Sequence, residues 1–278
     1  MAALCFFSLI MGIASFWIYR SPWIYGSFFL LSYFLGSFAK IVTPLALVPL
    51  LCLLVLHGIL KGGIAGKTRA ILVMLAGLLS IAMWIHIVPG FHNWKILSKA
   101  TTEYTFYLNW DKPFTGIFVL AWAFPLLRTK EELKRIFSLS LPYAIFSTIL
   151  LILLSIWGGI VKWDPKIPHD FWLWAIVNLF LVVIPEEAFM RGFIQKEFFR
   201  LFGEQGLAAA SGSILATAFL FSLLHIQGIP HFAYILLVFA SGILYGSIYQ
   251  YTKSIESAIF CHYFLNVIHF FLFTYPAL

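Results

Sequence analysis

The chain has 278 residues, of which 62% are hydrophobic and only 10% charged, and its mean hydropathy is +0.96. Soluble domains carry about 45–50% apolar and roughly 25% charged residues, so a soluble globular protein is excluded, and the net charge of +7 lies mainly in short connectors, not in a patch that would bind nucleic acid. The apolar blocks are long and lack a two-residue period, which argues against a transmembrane barrel and for a bundle of helices.

A spanning helix needs about 20 mostly apolar residues. On that criterion the sequence predicts helices near 1–18, 23–38, 41–60, 70–88, 113–127, 136–157, 171–200, 207–225, 232–250 and 256–275. The second and fifth are short, so the expectation is an all-α, polytopic transmembrane bundle of about eight to ten spanning helices. No Lys or Arg precedes the first segment, and the first basic residue is Arg20. A signal peptide would place its charge first, so this segment reads as a retained spanning helix.

Turn chemistry marks connectors at 61–69, 128–135, 158–170 and 226–231. The longest non-spanning stretch, 89–113, is rich in aromatic and polar residues. It reads as an interfacial anchor through Trp94 and Trp110, with a substrate-contacting loop as the alternative. Alternate connectors carry eleven basic residues on one side, Arg20 and Lys253 among them, and six on the other, Lys40 and Lys112 among them. The positive-inside rule then makes the first side cytoplasmic and puts both termini outside, in a multi-pass protein of a bacterial inner (cytoplasmic) membrane. Cys5, Cys52 and Cys261 all fall in apolar segments without a CxxC pair, and read as small buried hydrophobes.

Three charges interrupt the apolar run of the seventh helix: Glu186, Glu187 and Arg191 in IPEEAFMRGF. Each charge at a helix centre costs roughly 2.5–3.5 kcal/mol on insertion scales. Glu187 and Arg191 are four apart and share a helical face, where they can pair. Glu186, turned about 100° from its neighbour, has no assigned local partner. A carboxylate partly removed from water beside another carboxylate is a candidate general base. The similar run KEELKR at 130–135 lies in a polar connector and reads as a solvated face.

Further along, FSLLH places Phe221 one turn before His225, and HYFLN places His262 one turn before Asn266, with His269 continuing that stripe. His57 and His86, by contrast, read as satisfied structural histidines. A base, an imidazole, and a second histidine with an amide donor on three separate helices are the parts that hydrolysis needs. No Ser or Cys stands in a nucleophile setting, and there is no HExxH, GxGD or GxSG motif.

In this order, EExxxR, FxxxH and HxxxN resemble the motifs of the CPBP family, the CAAX-protease and bacteriocin-processing (Rce1-like/Abi) group of intramembrane glutamate-type endopeptidases. The resemblance covers roughly 136–275. It implies a protease core over 136–278 and leaves 1–135 as an N-terminal transmembrane extension. By the resemblance Glu186 activates water with help from His225, while His262 and Asn266 stabilise the oxyanion. Glu187 and Arg191 orient Glu186 and buttress its helix, and Phe221 supports the site. The implied partners are the lipid bilayer and a protein or peptide substrate. The resemblance names neither that substrate nor an oligomeric state.

Within the enzyme class the rival is a zinc metalloprotease with Glu186, His225 and His262 as ligands and a bound water. The resemblance favours the metal-free route, with no cofactor expected. In other classes, intramembrane Glu, His and Arg also build the proton relays of coupled transporters, and an immunity protein would bind a peptide without cutting it. One polar-rich half beside one bland half is not the repeated architecture of many transporters.

Overall fold

The computed structural model describes residues 1–98, 104–122, 125–226 and 232–275. Ten helices account for almost all the regular structure. They are α1 (Ala2–Ile18), α2 (Pro22–Phe38), α3 (Leu47–Lys61, preceded by a 3-10 turn Pro44–Ala46), α4 (Gly66–Trp84), α5 (Lys112–Trp122), α6 (Lys130–Trp157), α7 (Phe171–Leu201), α8 (Gly206–Leu223), α9 (Phe232–Thr252) and α10 (Ile255–Leu272). Seven of them are long and apolar enough to cross a membrane, and α1 is a shorter apolar helix. The protein is therefore an integral, multi-pass membrane protein. The predicted connector at 226–231 lies, apart from Ile226, outside the described residues.

Two readings of the sequence change. The first concerns α6, which begins at Lys130, not near 136, because Thr129 and Glu132 form a capping box. The Thr129 hydroxyl accepts from the Glu132 N–H at 3.0 Å, and the Glu132 carboxylate accepts from the Thr129 N–H at 3.1 Å. That reciprocal pair satisfies two of the donors that a helix start leaves open. The polar run 130–135 is thus the first turn of a helix.

The second concerns 89–113, which holds a two-stranded sheet, β1 (Trp94–Ser98) with β2 (Tyr104–Leu108). Trp110 is not an interfacial anchor. It is 1% exposed, donates from Nε1 to the Ser32 hydroxyl at 2.9 Å, and packs on Phe114 with ring centroids 4.6 Å apart. The same aromatic bulk that suits a headgroup region suits a core, and a buried partner for the indole N–H decides between them.

The described residues divide into two compact units, Met1–Leu97 with Thr105–Leu126 and Ile176–Phe189, and Ser98–Tyr104 with Leu127–Ala175 and Met190–Leu278. In the first unit small residues bring α1 and α2 together, as they do between membrane helices generally. The Ser32 hydroxyl donates to the Cys5 carbonyl at 2.9 Å and the Ser8 hydroxyl to the Phe28 carbonyl at 2.8 Å. A Cβ on Gly12 would come within 2.4 Å of the Phe29 ring.

In the second unit α6, α8, α9 and α10 associate by the same means. Gly242 of α9 lies so close to Ala218 of α8 that a Cβ would meet that residue's Cα and Cβ at 2.9 Å. The Tyr143 hydroxyl of α6 donates to the Leu244 carbonyl of α9 at 2.9 Å. At the start of α7, Trp174 lies flat on Phe270 of α10, with centroids 3.9 Å apart and planes 4° apart.

α7 is the most buried of the seven long helices: 72% of its apolar window is inside the protein, against 22–39% for the other six. Its turns are not uniform. Asn178–Val183 and Ala188–Gln195 are wide π turns, and the α-helical turn Ile184–Glu187 lies between them. Pro185 opens that turn. Proline has no N–H to give and its ring crowds the carbonyl four residues back, so the widened turn before it relieves a clash that a regular helix would keep. Such π insertions gather at functional sites.

Candidate active site

Residues 183–195 of α7 are all buried. Glu186 and Glu187 leave the helix on different sides, yet both are inside, at 2% and 0% exposed. A helix enclosed all round has no solvent face to offer, so rotation between neighbours does not select which glutamate is desolvated.

Glu186 has a partner far away in the sequence. The Lys112 ammonium lies 2.5 Å from its Oε1, with the lysine side chain itself 12% exposed. The same ammonium sits over the Trp84 ring, 4.3 Å from the centroid. Lys112 is the first residue of α5. Asp111 fixes that helix start, with Oδ1 accepting from the Lys112 N–H at 2.9 Å and Oδ2 lying 2.8 Å from His86 Nδ1. One turn on, Gly116 lets α5 approach the IPEE turn: a Cβ there would come within 2.6 Å of the Pro185 carbonyl oxygen. Counting Lys112 as a connector charge was therefore an error. Its ammonium is spent on a buried carboxylate, not on the membrane surface.

The other motif residues lie in the second unit. His225 follows the last turn of α8, where its N–H donates to the Ser222 carbonyl at 3.1 Å. Its Nδ1 is 2.8 Å from the Phe221 carbonyl oxygen. A carbonyl only accepts, so Nδ1 carries the hydrogen and Nε2 carries the lone pair of the neutral ring. Phe221 is 2% exposed and meets the His225 ring edge-on at 4.5 Å. The FxxxH spacing thus supplies both a carbonyl and a ring that set the imidazole.

His262 of α10 is 7% exposed. Tyr245 of α9 stacks on it at 4.8 Å and Phe221 meets it edge-on at 6.3 Å. Asn266 lies one turn further along α10 and is half-buried. His269, the continuation of the stripe, hydrogen-bonds through Nε2 to the Thr274 carbonyl at 3.1 Å at the end of the helix.

Arg191 is fully buried. Its Nη2 donates to the Gly242 carbonyl at 3.3 Å, and its guanidinium lies 5.0 Å from the centroid of Phe221 and 5.6 Å from that of Tyr245. Four residues on, Gln195 Nε2 donates to the Gly246 carbonyl at 3.0 Å. Two side chains one turn apart on α7 thereby bond to two carbonyls one turn apart on α9. The glycines of the GILYG segment, 242–246, make room for them.

The second unit therefore brings together Arg191, Phe221, His225, Tyr245 and His262, while the first surrounds Glu186 with Lys112 and Trp84. Sequence reading missed Tyr245, Gln195 and Lys112. Tyr245 and Gln195 carried a signal: the GxxxG spacing around 242–246 marks a close helix approach, and Arg191 and Gln195 are spaced to meet it. Among the described residues no group of three or more His, Cys, Asp or Glu side chains is arranged to hold a metal ion.

Residues 168–268 match the family model described as type II CAAX prenyl endopeptidase Rce1-like. These residues form an Rce1-like domain. The matched segment contains all three motifs, from Glu186 through Asn266. Rce1-like proteins are hydrolases, intramembrane endopeptidases, and the chain is an enzyme of that class. No curated protein and no solved structure matches the chain.

Proposed function

We propose that this Rce1-like protein hydrolyses a peptide bond of a membrane-associated protein or peptide with water activated by Glu186. The observation that carries the reading is the family match over 168–268, which encloses Glu186, His225, His262 and Asn266 in the order that the motifs require. The local chemistry supports it: the buried Glu186 carboxylate is held in place by the Lys112 ammonium, and a histidine with its Nδ1–H committed to a carbonyl presents Nε2 for proton transfer.

In this mechanism Glu186 takes a proton from water as the water oxygen attacks the carbonyl carbon, and His225 shares that proton. His262 and Asn266 donate to the oxyanion of the tetrahedral intermediate. The proton then passes to the leaving nitrogen, the C–N bond breaks, and a carboxylate and an amine are released. Preorganised donors of this kind are the largest single contribution in many hydrolases. Arg191 holds α7 against α9, and Glu187 with Arg191 orients Glu186. The N-terminal residues 1–135 supply an extension to the protease core of 136–278, and Lys112 reaches from that extension to the carboxylate.

The reaction is read as metal-free, the route that the family resemblance favours. The zinc version, with Glu186, His225 and His262 as ligands, is tested by elemental analysis of the purified protein and turnover after chelation. Full turnover without metal rejects zinc; loss with rescue by zinc rejects the metal-free route. The hydrolase family favours an enzyme over a proton-coupled carrier or a non-cutting immunity protein. Substrate class is tested by offering one membrane-anchored peptide with and without a farnesylated C-terminal cysteine. Cleavage of both arms places the enzyme outside strict prenyl recognition, and cleavage of the farnesylated arm alone places it within.

A further inference from the structure

We infer that Lys112, a residue outside the family-matched segment, is a positioning residue for Glu186, aiming its carboxylate. This rests on the reading of Glu186 as the base.

Three features of the first unit make the contact a built one. The lysine is close and enclosed: its ammonium is 2.5 Å from Glu186 Oε1, its side chain is 12% exposed, and the Trp84 ring covers it at 4.3 Å. Trp84 is itself 5% exposed. An ammonium in that setting interacts with the carboxylate more strongly than at a surface, because little water screens the pair.

The helix that presents the lysine is fixed at both of its points of reference. Asp111, 1% exposed, accepts from the Lys112 N–H and is itself held by His86. The Thr115 hydroxyl donates to the Lys112 carbonyl at 2.8 Å. Gly116 seats α5 on Pro185, and a methyl group there would press on the Pro185 Cα at 2.7 Å and the Ala188 Cβ at 2.9 Å. The lysine and the carboxylate are thus carried by two backbones in direct contact, with one turn separating the glycine from the lysine. A flexible surface lysine needs none of this.

The Lys112 ammonium binds Glu186 Oε1. It acts through Glu186, so its loss should lower turnover and leave the recognition of substrate alone.

The test compares the full-length protein with Lys112→Met, Lys112→Arg, Glu186→Gln and the double variant Lys112→Met/Glu186→Gln, reconstituted in nanodiscs with a membrane-anchored peptide substrate. In Lys112→Met kcat should fall about tenfold or more with KM little changed. Lys112→Arg should restore most of that loss, because it returns the charge. An unchanged kcat in a folded Lys112→Met overturns the inference, and so does higher turnover, which would make the ion pair a latch that catalysis must open.

If Lys112→Met does not fold, thermal unfolding of the double variant decides. Glu186→Gln should rescue folding when the fault is an uncompensated buried carboxylate, and failure to rescue shows a merely structural lysine and overturns the inference. Glu186→Gln separates the two readings. If it keeps turnover, Glu186 is not the base and the proposed mechanism fails. If it loses turnover while Lys112→Met keeps the wild-type kcat, only the role of Lys112 fails.

Discussion

Tyr245 lies flat on His262, with ring centroids 4.8 Å apart and planes inclined by 15°. The tyrosine is 1% exposed and comes from α9, while His262 comes from α10. In the proposed mechanism His262 is an oxyanion donor, which has to point at one place, and a ring stacked on a buried neighbour has little freedom to turn. Tyr245→Phe keeps the flat face and should keep turnover within about threefold of wild type. Tyr245→Leu removes the face and part of the ring's volume, at a cost of about 1–3 kcal/mol. Its turnover should fall about tenfold or more at a temperature where the variant stays folded. Paired kcat and unfolding measurements check both.

His225 uses its two nitrogens for different ends. Nδ1 bonds to the Phe221 carbonyl at 2.8 Å, and in the proposed mechanism the proton-transfer role falls to Nε2. Asparagine places an amide N–H near the position of Nδ1 and nothing at Nε2. His225→Asn should therefore fold like wild type, while turnover drops about 10²–10⁴-fold, the range expected when a general acid–base group is lost. Alanine at the same position removes both functions. Unfolding curves for the two variants measure the part played by the carbonyl bond.

The two glycines of α9 should respond unequally to alanine. At Gly242 the new methyl group meets the Cα and Cβ of Ala218 at 2.9 Å, where only a shift of α8 makes room. Overpacking of that kind costs typically about 1–3 kcal/mol. At Gly246 the nearest atom is Gln195 Oε1 at 2.8 Å, the end of a flexible side chain. Gly242→Ala should therefore lower the melting temperature more than Gly246→Ala. Thermal unfolding in detergent micelles ranks them.

Much of this was visible in the sequence because lipid imposes a simple code. Ten apolar runs mark ten helices, and charges inside one of them mark the place to look. The order of EExxxR, FxxxH and HxxxN marks the domain. Other features left no such trace. Lys112 and Glu186 are separated by 74 positions, and a lysine beside an aromatic loop reads as a headgroup charge until its partner is seen. Tyr245 looks like any aromatic in an apolar helix. The π turns that flank Ile184–Glu187 leave no mark that a pattern search at 3.6 residues per turn would find. Trp110 was misplaced because burial of an indole depends on a hydroxyl, that of Ser32 on α2, 78 positions away. The Thr129–Glu132 capping box, by contrast, was legible: Thr-x-x-Glu before an apolar run is a helix start, and reading it as a connector overlooked that signal.

The central claim is that Glu186 is the base that activates water. Its most direct measurement is turnover of a membrane-anchored peptide by purified wild-type protein and by Glu186→Gln, each in nanodiscs and each shown to be folded by thermal unfolding. Loss of turnover by about a thousandfold or more, with the fold kept, is the predicted result. Turnover by Glu186→Gln within tenfold of wild type would contradict it.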